Sequence, residues 1–384
     1  MRQFLFCVLL FLPILTVVSC GDTDDGFGKI EEPCDQDGEK RGQNRVVTIT
    51  EPPVDCVKGS NEFGFKMFAD VYAANADNPS GVIFSPLSSQ MLKGLMISQM
   101  SDWGKRNIDI RKELLLDWSF NDYFKSVTSR FSDMESETLS FGLSNLAMSY
   151  LREEFPDDMK TIFEDIYGVD FLEFDDSLSP GERPGDIWAK RKSGGLVDTL
   201  PHDNKIPDFY TYFLANLSFV KGSLKSAGPL VYEDEEYSSC SLPFSDERLT
   251  LTVLLPKGGN SVKDLVGSMT SDEWNRILAS STKRNIGVTV PDLSQGFVLN
   301  VFYDYLKDDF KNLYANSAIR YRHDLVIYIP RYFFINISMT SRIQLSGVSS
   351  ADPSNPKDLV VQGPFLYVIS ESDTGLVLFM GTKV

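Results

Sequence analysis

Apolar positions along the chain fall into two regimes: helical spacing in the first third, and short continuous or alternating runs toward the end. Phe65, Phe68, Val71 and Tyr72 predict an amphipathic helix over 61–76. Asn78-Pro79-Ser80-Gly81 reads as a turn, and Val82-Ile83-Phe84 as a short strand. Ser88 is a candidate cap for a second helix with Met91, Leu92, Leu95, Met96 and Met100 on its apolar face. Helical pattern returns at 110–116, 123–131, 155–167, around Ile187-Trp188, and over 265–278. The run from Leu139 to Met148 alternates like a strand. Those at 209–220 and 249–255 are nearly continuously apolar, the mark of strands buried on both faces. Further strands are predicted at 169–174, 286–290, 325–337, 365–370 and 376–380, the last two joined by Glu371-Ser372-Asp373-Thr374-Gly375. The segregation predicts an α+β fold with mostly antiparallel sheets.

The chain has 384 residues and 42% hydrophobic content, enough for a large core. A net charge of −17 argues against nucleic-acid binding, which needs a basic surface. Residues 1–19 read as an export signal: Arg2 first, an apolar run from Phe4 to Val18, then Ser19-Cys20. The ending resembles a bacterial lipobox, which implies lipid on Cys20 and attachment to a membrane, at the outer membrane or cell surface. The alternative is an ordinary secretory peptide and an extracellular protein. Residues 20–60 then form an acidic, Gly-rich tether and extension, and the packed domain spans 61–384. Cys34 and Cys56 flank a strand-like segment, so they are either a disulfide in an oxidising compartment or two free thiols. Cys240 is left as a buried thiol. Metal-ligand spacing is absent, and no cofactor is implied.

Several motifs, in order, carry a family resemblance. Phe84-Ser85-Pro86-Leu87-Ser88 ahead of a helix resembles the F-S-P-x-S signature of the serpins, the serine protease inhibitor family. Leu143-Ser144-Asn145-Leu146 is similar to the family's I-A-N-A-L strand, and Val169 to Phe174 to its V-D-F strand. Ile187-Trp188 followed by Gly194 to Pro201 resembles I-N-x-W…L-L-P. Leu214 to Gly222 resembles L-V-N-A-I-Y-F-K-G, and Pro364 to Gly381 the last two strands. The resemblance covers 61–384. It implies the serpin fold: three mainly antiparallel sheets, about eight or nine helices, and an exposed reactive loop near the C-terminus. It also implies a monomer that acts on a target serine or cysteine protease as a suicide substrate. The protease cuts the loop, which then joins the central sheet as an extra strand.

The segment matching the family's hinge departs from it. Thr340, Ser341, Arg342, Ile343 and Gln344 carry no alanine run, and Ser341 stands at the hinge glycine. Arg342 stands where a small residue should turn inward, at a cost on the order of several kcal/mol, unless the register is shifted by one. Asp352, Pro353, Ser354 and Asn355 mark the positional guess for the scissile bond, in a short loop with two prolines. Leu224 replaces a usual Trp, and Arg331 a His. The stretch from Gly222 to Leu242 is short, so strands that support the loop are expected to be missing.

An enzyme reading finds little. The two histidines, His202 and His323, have no G-x-S-x-G elbow to serve, and neither a P-loop nor a Rossmann glycine pattern occurs. Glu233-Asp234-Glu235-Glu236 reads as a solvated turn. The other alternative is a non-inhibitory serpin-fold binding protein on the cell surface.

Overall fold

In a computed structural model the described residues are 54–98, 120–131, 133–149, 155, 157–175, 177–200, 212–226, 228–299, 335–352 and 354–384. All belong to one compact unit, Ile49–Val384. Cys20, Cys34, His202, His323, Arg331 and the 110–116 stretch lie outside the described residues.

Seven helices occur among the described residues, against about eight or nine expected: α1 (Val54–Ala74), α2 (Pro86–Ser98), α3 (Phe120–Phe131), α4 (Asp157–Tyr167), α5 (Pro184–Lys192), α6 (Val262–Ser268) and α7 (Ser271–Ser280). α1 begins at Val54, seven residues ahead of the predicted start, because Cys56, Val57 and Ser60 continue its buried stripe. α2 is capped by Ser85, not Ser88: the Ser88 amide donates to Ser85 Oγ at 3.3 Å, and Pro86 occupies the first helical position, where a missing N–H costs nothing. The predicted single helix over 265–278 is two. Ser261 caps α6 in a capping box with Asp264, and Thr270 caps α7 through the Glu273 amide, so the chain turns at Met269.

Among the described residues there are three sheets, as the resemblance implied. The largest has the order β1 (Ile83–Phe84), β16 (Val377–Lys383), β15 (Phe365–Glu371), β8 (Leu249–Pro256), β7 (Tyr237–Pro243), β6 (Leu230–Glu233) and β9 (Thr282–Lys283). The turn predicted at Glu233–Glu236 joins β6 to β7. The second sheet runs β11 (Leu293–Leu299), β12 (Ile335–Ser346), β5 (Tyr212–Ser223), β3 (Leu139–Ser149) and β2 (Asp133–Glu135), with β4 (Val169–Glu173) also on β3. The third is small: β10 (Val288–Val290) lies between β13 (Val348–Ser349) and β14 (Leu359–Val360).

One continuous core fills the space between the two large sheets, where Phe141 of β3 meets Phe379 of β16 edge-on at 6.1 Å. A second cluster, Leu146, Met148, Phe213, Leu217 and Phe219, lies on the opposite face of the second sheet, with Trp188 and Ala189 of α5 against it. Trp188 Nε1 donates to Asp170 at 2.7 Å, and buried Asp186 accepts from the Gly181 and Leu200 amides, which ties α5 to its flanking loops.

Candidate functional site

The site is the connection from β12 to β14 and the seam beside it, where β12 runs parallel to β5. Pairing is continuous over twelve residues, from Ile335 opposite Tyr212 to Ser346 opposite Ser223. On its other side β12 is antiparallel to β11, from Met339 to Leu345. Strand alternation sends Met339, Ser341, Ile343 and Leu345 into the core, where Ser341 Oγ hydrogen-bonds Ser218 Oγ across the seam at 3.1 Å. Thr340, Arg342 and Gln344 take the outer face. Arg342 therefore does not turn inward. Its guanidinium lies over Gly296, where an added Cβ would come within 2.9 Å of Nη1. All five hinge residues expected from the sequence thus sit inside a strand paired on both sides.

The chain leaves the sheet at Gly347, six residues after Ser341. Its amide donates to Asp292 at 2.7 Å, and a Cβ there would meet the Val290 carbonyl oxygen at 2.1 Å, so only glycine fits the turn. Val348 and Ser349 then pair with β10, which occupies one side of the small sheet with the loop's own residues. Among the described residues the stretch 222–242 supplies no strand to that sheet; its β6 and β7 join the seven-stranded one, and Leu224 is buried against Phe244. Ser350 extends the contact. Its amide and hydroxyl donate to the Val288 carbonyl, while the Val288 amide donates to Ser350 Oγ.

Asp352, Ser354 and Asn355 form the exposed tip of the loop; Pro353 lies outside the described residues. The Ser354 hydroxyl and amide hold the Asp352 carboxyl below the usual carboxylate range. The Asn355 amide donates to the Asp352 carbonyl, and the Asp358 amide to the Asn355 carbonyl. The loop closes at Asp358, and Leu359 re-enters the small sheet with its amide on the Gly287 carbonyl. From Gly347 to Asp358 the connection has twelve residues. Where the seam meets the loop, a cleft of about 400 Å³ is lined by Ser136, Thr138, Lys221, Gly222, Gln344 and Ser346.

Elsewhere, Cys56 is buried in α1. Cys240 is a free, buried thiol that burial pushes up to about 12. Asn216 is fully buried and donates to Asn145. Among the described residues no cluster of His, Cys, Asp or Glu could hold a metal ion.

No family model matches the chain. An uncharacterised serpin-like protein of Thermococcus kodakarensis is 22% identical over 392 residues, covering 89% of this chain and 86% of that one. Among solved structures, the thermophilic serpin tengpin in its native state superposes with a TM-score of 0.65 at 15% identity, covering 85% of this chain and 93% of tengpin. Thyroxine-binding globulin in complex with thyroxine gives 0.63 at 14%, covering 85% and 98%. The chain therefore has the serpin fold and is similar, along almost its whole length, to a serpin-like protein.

Proposed function

We propose that this serpin-fold protein works as an exported binding module that displays its 347–358 loop to a protein partner, in the first place a target protease, without full loop insertion. One observation carries the reading: only twelve residues link β12 to β14, while the seam they would have to fill is itself twelve residues long. A chain reversal takes about two residues, so even a cut at the last loop bond leaves too little strand to span the seam. The suicide-substrate activity implied by the resemblance needs that strand. The chain supplies no catalytic group of its own in this reading. Thyroxine-binding globulin offers a precedent for a serpin-fold protein with a bound ligand.

The test is incubation with a panel of serine and cysteine proteases, followed by denaturing electrophoresis. We expect loop cleavage or reversible association and no denaturant-resistant complex. A covalent complex with any of them would refute the reading and restore the trap. We further propose that the mature protein starts at a lipidated Cys20 and is a monomer at the outer membrane or cell surface. Intact-mass analysis finding an unmodified chain with another N-terminus would overturn the anchor.

A further inference from the structure

The displayed loop is held by one carboxylate. Asp358 Oδ1 accepts from the Gly287 amide at 3.0 Å and from Asn355 Nδ2 at 2.8 Å, and Oδ2 accepts from the Asp352 amide at 2.7 Å. A single side chain thus collects donors from the neighbouring β10 entry and from two residues of the loop tip. Gly287 makes this possible: a Cβ there would lie 2.4 Å from the Ser350 carbonyl oxygen and 2.5 Å from Asp358 Oδ2, so nothing larger fits beneath the loop. On the other side, Ser350 fastens both backbone groups of Val288. Between these anchors the tip is folded into successive turns by Asp352 and Asn355.

We infer that Asp358 is a positioning residue that locks the loop in a folded, protease-resistant form. A protease cleft takes an extended segment. Here residues 348–350 are committed to β10, and Asp352 and Asn355 are both bound to one carboxylate. Cleavage therefore requires release of Asp358 and follows the small population of the open loop. The inference rests on the reading that the loop is displayed, and it names what controls access to it.

The experiment is limited digestion of the full chain with a nonspecific protease at low dose, timed by intact mass. The variants are Asp358→Ala, Asp358→Asn and Ser350→Ala. In Asp358→Ala, cutting within 347–358 is expected to rise at least tenfold, with the cooperative melt retained. Asp358→Asn keeps one acceptor but presents an amide to the Asp352 N–H, so it should fall between. Ser350→Ala should also accelerate cutting. Equal loop-cleavage rates in the wild type and Asp358→Ala would overturn the lock. So would accelerated cutting spread over the whole domain with loss of the melt, since that is global destabilisation. Cleavage rate reports the lock alone; whether the cut protein then melts higher reports insertion, so the two readings fail separately.

Discussion

Cutting the loop should barely change the stability of this protein, and the structure sets the size of the effect. A cut after Pro353 leaves seven residues, Gly347 to Pro353, attached to β12. With about two spent on the reversal, about five remain, roughly 17 Å of strand at about 3.3 Å per residue. The seam between β5 and β12 has twelve residue pairs, or roughly 40 Å. Each inserted residue gains about 1 kcal/mol in net hydrogen bonding and gives up about 1–2 kcal/mol in backbone freedom. Insertion also forfeits the Val348–Ser349 pairing with β10, and separates Ser218 from Ser341. Over five residues the balance runs from about zero to about 5 kcal/mol against insertion, so the cut strand stays out and adds no stability. At about 2 °C per kcal/mol for a domain of this size, the melting midpoint should move by less than about 5 °C. The assay is thermal unfolding before and after loop cleavage, with the cut confirmed by intact mass; Asp358→Ala supplies cut material if the wild-type loop resists. A rise beyond about 10 °C would refute the length argument, because only a strand buried along most of the seam could supply it.

Other expectations follow from the core. Asn61 of α1 is buried, accepts from the Val377 amide at 2.8 Å and donates to the Gly375 carbonyl at 3.0 Å. Asn61→Ala should cost about 1–3 kcal/mol in urea unfolding, since it strands the buried Val377 amide, while the Gly375 carbonyl keeps the Trp274 Nε1 donor at 2.9 Å. The Cys240 thiol, pushed up to about 12 by burial, should stay unlabelled by alkylating reagents at mild alkaline pH and react fully once the chain is denatured. Partial burial works to raise the Asp170 carboxyl, but hydrogen bonds from Lys192 and Trp188 outweigh it and hold the group below its ordinary range. A carboxyl lowered in the folded state stabilises above its unfolded value and loses that stabilisation as pH falls through the folded one. Asp170→Asn should therefore be less stable than wild type near neutrality, with the gap closing below about pH 4 in thermal melts.

Much of the fold was legible in the sequence because its elements are marked locally. The alternating run of β3, the apolar runs of β5 and β8, and the final pair β15 and β16 each declare their burial through residue order alone. Phe84-Ser85-Pro86-Leu87-Ser88 declared a strand-to-helix turn, though which serine caps it depends on where Pro86 starts the helix. Weakly apolar β6 and β7 escaped notice because their burial comes from strand neighbours, not from their own composition. The loop lock was illegible for a related reason: Asp358 gains its role from Gly287, seventy-one residues away in sequence.

What the sequence alone determined was the resemblance to the serpins, the most apolar strands and most of the helices, and the shortness of the connection near the C-terminus. Only the tertiary structure decided where that connection begins. Residues 340–344 carry no signal that separates the end of a strand from a hinge, since both want extended backbone. Register against β5 and β11 settles it, because a one-residue slip would bury Arg342 and expose Ile343. That register carries the strand on to Ser346, leaves twelve residues before β14, and so makes the loop a fastened display instead of a free strand.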